Sequence, residues 1–251
     1  MPIVLLMTFS FTFFTYNGQR LFRLSKKLLQ PENIGERLEW VITHKKPLTI
    51  FTVLFGIIGL SCTYFINPYC FIILIPMGGL SVFYVIPIIP FYSKSPTLRD
   101  LPYLKIFIIA IVWSIAIVWL PLIDTHFGFI SRNEFVIAMI QNFLFVIAIT
   151  LPFDVRDIEF DKSNNLKTIP QLLGIKSSIV LSFILLVTSI YLLYNLPIGD
   201  YFYALLIGHS ITMIIISFSK KERTELFFAG LIEGTVLILY GCVLITDYFF
   251  L

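Results

Sequence analysis

The sequence predicts an all-α membrane protein, a polytopic bundle of about eight transmembrane helices. Three observations lead there. Hydrophobic residues make up 58% of the 251 and charged residues only 13%, with a mean hydropathy of +0.91, far from the soluble average. Apolar stretches recur along the whole chain at lengths suited to a hydrocarbon core that takes about 20 helical residues to cross. All Lys and Arg but one lie in alternate loops between those stretches. No polar segment is long enough for a soluble domain, so residues 1–251 form one integral-membrane domain.

The expected spans are residues 2–16, 47–66, 69–91, 104–123, 135–151, 178–196, 201–218 and 226–245. The first lacks a basic leading region and a small-residue cleavage site, and basic residues follow it. It reads as an outside-to-inside anchor, not a cleaved signal peptide. The third carries Pro76, Gly78, Gly79, Pro87 and Pro90, which kink or break a helix, and Pro121 lies at the end of the fourth. Gln141 and Asn142 in the fifth are suited to hydrogen bonds between helices. His209 and Glu233, in the last two spans, each lie about 12–15 Å from the cytoplasmic end at 1.5 Å per residue. That common depth predicts a His209–Glu233 pair, since an isolated glutamate there is expensive. Cys62, Cys70 and Cys242 are scattered in or beside spans without metal spacing, as buried small hydrophobes.

The basic residues fix orientation. Arg20, Arg23, Lys26, Lys27, Arg37, Lys45 and Lys46 follow the first span; Lys94 and Arg99 follow the third, with Lys105 just inside the next. Arg156, Lys162, Lys167 and Lys176 follow the fifth; Lys220, Lys221 and Arg223 follow the seventh. Only Arg132 stands on the other side. These four loops are therefore cytoplasmic and both termini face outward. The net charge of +3 expresses membrane topology and not nucleic-acid binding.

One polar segment stands out. Directly after the fifth span come Asp154, Asp157, Glu159 and Asp161, then Thr168-Ile-Pro170 and Leu173-Gly174. Carboxylates are costly near hydrocarbon and need a cation or partner. On one continuous helix Asp154, Asp157 and Asp161 share a face, aiming hard oxygens at one place. That arrangement suits Mg²⁺ bound together with a phosphate-bearing substrate; the alternative is a solvated acidic loop.

Arg156-Asp157-Ile-Glu-Phe-Asp161, with Lys167-Thr168-Ile-Pro170 and Leu173-Gly174, resembles the second aspartate-rich motif of the UbiA superfamily of intramembrane prenyltransferases. The resemblance implies Mg²⁺-dependent transfer of a prenyl group from an isoprenyl diphosphate to an aromatic or other lipophilic acceptor. It implies a nine-helix fold in which this motif closes the sixth helix. Here the motif closes the fifth of eight, as though the first family helix were absent or encoded upstream of Met1. The family's first motif, Asn-x-x-x-Asp with a further Asp four residues on, falls on Asn17, Leu21 and Ser25. Leucine cannot bind Mg²⁺ and serine binds it weakly, so half of the carboxylate set is missing. The resemblance implies Asp157 and Asp161 as catalytic metal ligands with Asn17 as a neutral third. Thr97-Leu-Arg-Asp-Leu-Pro-Tyr-Leu-Lys105 resembles the basic segment before the family's fifth helix, which implies Lys105 as a catalytic cation and Arg99 as a substrate-binding residue; Arg20 and Lys162 on the same cytoplasmic side, and Asp154 beside the motif, are further substrate-binding candidates. Together with the charge distribution, which points away from nucleic acid and puts the acidic loop on the cytoplasmic side, the expected setting is a bacterial inner membrane with membrane lipids as partners.

Two other classes are open. A degenerate family member would bind an isoprenoid lipid or stabilise a partner without catalysis, as Leu21 and Ser25 favour. An eight-span transporter would also use kinked helices, but its carboxylates belong at mid-membrane and not at one face. The topology is directly testable. Single cysteines placed in the acidic loop should react with an impermeant thiol reagent only from the cytoplasmic side, and labelling only from outside would overturn the orientation.

Overall fold

The computed structural model describes residues 2–25, 36–86, 97–125, 131–163 and 166–250. Among these residues every regular element is helical: α1 (Pro2–Ser25), α2 (Glu36–Thr43), α3 (Lys45–Thr63), α4 (Phe71–Phe83), α5 (Leu104–Ser114), α6 (Leu120–Asp124), α7 (Arg132–Arg156), α8 (Ile158–Ser163), α9 (Ile169–Leu173), α10 (Ile175–Tyr194), α11 (Tyr201–Ser217) and α12 (Glu233–Phe250). Each expected apolar stretch carries a helix. Among the described residues five runs are long and apolar enough to cross a membrane: Lys45–Thr63, Leu104–Asp124, Arg132–Arg156, Ile175–Tyr194 and Phe227–Phe249. Pro68–Phe83 and Tyr201–Ser217 are apolar but shorter, and α1 turns polar in its second half at Asn17, Gln19, Arg20 and Arg23. Residues 87–91 of the third expected span, and the loop residues Lys26, Lys27 and Lys94, lie outside the described residues. Large apolar side chains such as Leu237 (73%) and Ile72 (70%) are exposed along these helices. Such surface is an aggregation hazard in water and the correct solvent match in lipid. The chain is an integral membrane protein.

Two compact units divide the chain. The first comprises Met1–Thr97 and Leu120–Gly128, the second Leu98–Trp119 and Phe129–Leu251. In the first, α1 packs on α3 through aromatic rings laid over glycines. A Cβ on Gly56 would lie 2.7 Å from the Phe14 ring, and one on Gly59 would lie 2.9 Å from Phe11. Small residues here let two membrane helices approach closely. Gln19 Nε2 donates to the Ser81 carbonyl at 2.9 Å, and Asn67 Nδ2 donates to the Ile123 carbonyl at 3.0 Å.

In the second unit α7 packs against α5 and α10, and the core gathers Ile106, Ala110, Ala148, Leu151, Leu186 and Ile216. A polar link runs through this apolar interior. Gln141 Nε2 donates to Ser189 Oγ at 2.9 Å, joining α7 to α10, and Ser189 Oγ lies 3.1 Å from His209 Nε2 on α11. His209 Nδ1 lies 2.8 Å from the Leu205 carbonyl. Gln141 therefore bonds between helices as expected, but His209 does not pair with Glu233. Both of its ring nitrogens are engaged, because α11 turns this buried face toward α10, while Glu233 lies at an exposed position.

Two π-helical segments, Ile115–Trp119 and Phe227–Ile232, interrupt the α-helical pattern. The first leads into Pro121, which has no N–H for the residue 117 carbonyl and crowds the preceding turn. Where α11 meets α12, a Cβ on Gly208 would lie 2.6 Å from Leu239 Cδ2 and 3.3 Å from its Cα. Backbone cannot step aside as a side-chain tip can. Gly208→Ala is therefore expected to destabilise the fold by about 1–3 kcal/mol, the cost of overpacking a tight core. Gly78→Ala, with nothing within 4 Å, should be neutral or slightly stabilising. Thermal melting in detergent compares the two.

Candidate functional site

The acidic segment is delivered by α7. A capping box starts that helix: Ser131 Oγ accepts from the Glu134 N–H at 3.3 Å, and the Ser131 N–H donates to Glu134 Oε2 at 2.7 Å. The helix ends at Arg156. Asp157 caps it at φ −87°, ψ 7°, and α8 begins at Ile158. The three aspartates therefore do not share one continuous helical face. Asp154 sits on α7, Asp157 at the break and Asp161 on α8, where its N–H donates to the Asp157 carbonyl at 2.8 Å. Pro152 inside α7 lacks an N–H for the preceding turn and weakens the helix just before this break.

Each carboxylate meets a different environment. Asp154 is 2% exposed, and its Oδ1 accepts from Lys105 Nζ at 2.7 Å. Asp157 is clasped by its chain neighbour: Arg156 Nε donates to Oδ1 at 2.7 Å and an Arg156 terminal nitrogen to Oδ2 at 3.0 Å. Asp161 is 1% exposed, and its Oδ2 has no hydrogen-bond partner among the described residues. Burial pushes the Asp161 carboxyl up to about 6. Asp154 and Asp157 add to the rise, and Lys105 and Arg99 oppose it. The structure thus brings Arg99, Lys105, Asp154 and Asp157 within electrostatic reach of Asp161.

Local backbone places these groups. Tyr103 adopts φ 60°, a left-handed conformation unusual for a bulky residue, and its N–H donates to the Lys167 carbonyl at 3.0 Å. That turn starts α5 so that Lys105, in its first turn, reaches Asp154. The Thr168-Ile-Pro170 and Leu173-Gly174 elements receive a structural reason as well. Thr168 is the N-cap of α9 with Pro170 in the first turn, where its missing N–H costs nothing. Gly174 joins α9 to α10 at φ 84°, ψ 162°, a conformation open essentially to glycine alone.

The remaining expected site residues have the following surroundings. Lys162 is exposed and lines a cleft of about 240 Å³ with Leu166, Lys167 and Gln171. Asn17 and Arg20 belong to the first unit. Asn17 donates to the Phe13 carbonyl at 2.9 Å and lines a cleft of about 380 Å³ with Phe13, Trp40, His44 and Phe51 among others. Arg20 donates to the Tyr16 hydroxyl at 2.8 Å and lies over its ring. Ser25 Oγ donates to the Phe22 carbonyl at 2.7 Å.

Hard carboxylate oxygens, one of them buried and without a partner, suit a hard divalent cation. Among the described residues no three His, Cys, Asp or Glu side chains close on one point, so these residues alone do not complete a coordination shell. Three residues beside the acidic segment have no role assigned from the sequence: Arg156, which stands inside the motif, Phe153 and Phe228. The Arg156 guanidinium lies 5.3 Å from the ring centroids of both Phe153 and Phe228. The Arg-Asp dipeptide was a visible signal for the first, but nothing in the sequence joins Phe228 to a motif about seventy residues earlier.

The model of the UbiA prenyltransferase family matches residues 42–232. A UbiA homologue from Aeropyrum pernix K1 in its apo form superposes with a TM-score of 0.64 at 16% identity, over 97% of this chain and 89% of that one. A UbiA homologue from Archaeoglobus fulgidus, bound to DMAPP and Mg²⁺, gives 0.60 at 15% identity, over 98% and 88%. A structure from work on digeranylgeranylglyceryl phosphate synthase in membranes gives 0.55 at 18% identity, over 96% and 82%. At these identities the likeness is one of fold. Among curated protein sequences there is no significant match.

Asp161 yields a prediction with a definite sign. Its carboxyl titrates higher in the fold than in the unfolded chain, so the ligand-free fold binds that proton more tightly. Its contribution to stability is lost as pH rises through about 6 and regained as pH falls toward 4. Without metal, Asp161→Asn should therefore melt higher than the wild type at pH 7.5, with the gap closing as pH falls toward 4.

Proposed function

The chain belongs to the UbiA prenyltransferase family, and we propose that it transfers a prenyl group from an isoprenyl diphosphate to an aromatic or other lipophilic acceptor within the membrane. The observation that carries this reading is the environment of Asp161: a buried carboxylate with an unpartnered oxygen, beside two more aspartates and within reach of Arg99 and Lys105. Acids and bases crowded at one helix end fit a ligand that carries both a divalent cation and phosphate oxygens. The homologue bound to DMAPP and Mg²⁺ supports the same pairing.

In this reading Asp157 and Asp161 would hold Mg²⁺. When bound, such an ion would supply charge neutralisation to the departing pyrophosphate. Lys105 and Arg99 place fixed positive charge where the allylic C–O bond breaks and its electron pair passes to oxygen. Lys162 would bind the outer diphosphate oxygens. Asp154 acts through Lys105, holding the ammonium by their 2.7 Å ion pair. The acceptor's nucleophilic atom then forms the new bond to the allylic carbon and gives up a proton. The four basic loops and this site face the cytoplasm of a bacterial inner membrane.

Leu21 and Ser25 favour a second reading, in which the chain binds an isoprenoid lipid without turning it over. A turnover assay separates the two. Purified protein is given labelled geranyl, farnesyl or geranylgeranyl diphosphate, Mg²⁺ and a panel of aromatic acceptors. We expect prenylated product that disappears with chelator, and losses on the order of 10²–10³-fold in kcat/KM for Asp157→Ala and for Asp161→Ala. Full activity in either variant would remove the metal-assisted mechanism.

A further inference from the structure

Arg156 is a basic residue inside the acidic motif whose role the transfer reading leaves open. Its guanidinium takes both oxygens of Asp157, at 2.7 and 3.0 Å. Exposed ion pairs contribute little when their side chains wander, but a bidentate fork in a fixed geometry is the exception. Here two aromatic rings fix it. Phe153 comes from the last turns of α7 and Phe228 from the π-helical segment Phe227–Ile232, each ring centroid 5.3 Å from the guanidinium carbon. The two rings lie 5.8 Å apart, and Phe228 is fully buried. Cation–π attraction of this kind is strongest where water is excluded.

The clamp changes what the site offers a cation. Asp154 is committed to Lys105 and Asp157 to Arg156, which leaves Asp161 with the unpartnered oxygen. A bare Mg²⁺ approaching Asp157 would have to displace a bidentate guanidinium and then sit beside its positive charge. A Mg²⁺–diphosphate complex meets no such obstacle, because its phosphate oxygens can accept from the guanidinium as the carboxylate turns to the metal.

We propose that Arg156 is a positioning residue that makes metal binding at Asp157 conditional on diphosphate: it occupies the carboxylate in the ligand-free chain and exchanges it for phosphate oxygens on loading. Ordered binding follows, with the diphosphate recruiting its own cation. This rests on the transfer reading for the identity of the anion, but not on turnover itself.

The test uses the full chain in detergent micelles, with Mg²⁺ affinity measured by titration calorimetry in the presence and absence of inorganic pyrophosphate. In the wild type, Mg²⁺ alone should bind weakly and pyrophosphate should tighten it strongly. In Arg156→Gln, Mg²⁺ alone should bind about tenfold more tightly, the scale of one charge-assisted hydrogen bond, and the tightening by pyrophosphate should shrink. Disruption of the fold would weaken binding, the opposite direction. Arg156→Lys, which keeps the charge and loses the fork, and Phe228→Leu, which removes one ring, should move the same way by smaller factors. They carry the test if Arg156→Gln does not fold. Unchanged or weaker binding of Mg²⁺ alone in these variants overturns the proposal, as does wild-type Mg²⁺ binding that ignores pyrophosphate. If the coupling behaves as stated but no acceptor is prenylated, the clamp stands and the transfer reading fails.

Discussion

Three carboxylates at the end of one apolar helix must each be compensated, because ionised oxygens near hydrocarbon are costly. Much of the second unit serves that constraint. The ion pair of Asp154 draws in the first turn of α5, and through Tyr103 it ties the segment before α5 to the backbone at Lys167. The clamp on Asp157 draws in Phe228 and with it the π-helical start of the last helix. Asp161 is compensated least, since one oxygen lacks a hydrogen-bond partner and its proton affinity is raised by burial. An energetic deficit at one buried carboxylate is what a cation-binding site requires before its cation arrives.

The apolar interior behind this site is held by two kinds of contact. Close helix approach at Gly208 and Leu239 supplies dispersion contacts, and the Gln141–Ser189–His209 link supplies direction. In lipid there is no hydrophobic force between helices, so packing and interhelical hydrogen bonds carry the association. A polar link across α7, α10 and α11 fixes their register. It thereby fixes the height at which α7 presents its acidic end.

The first aspartate-rich motif is reduced to Asn17, and Leu21 and Ser25 bring no carboxylate. Asn17 lies outside the segment that the family model matches. Of the two motif segments only the second carries carboxylates, and there two of three aspartates are already paired with cations. In the proposed function, the substrate's own phosphate oxygens complete what the protein leaves open. The same imbalance is the strongest ground for the non-catalytic reading.

The sequence by itself determined the helical class, the membrane setting, the placement of apolar helices and the location of the acidic motif. Those features rest on composition, on runs of apolar residues and on a local motif, all of which are local along the chain. Gly174 belongs with them, since its φ of 84° is a demand made on one residue alone. Tertiary structure decided the partners. Depth along the helices pointed His209 to Glu233, yet rotation about α11 gave it Ser189. Periodicity placed three aspartates on one face, yet the break at Asp157 gave each a separate environment. Phe228 reached Arg156 only because the last helix begins beside the end of α7. Helical rotation, helix breaks and contacts between distant segments depend on how whole surfaces pack, and no local pattern encodes them.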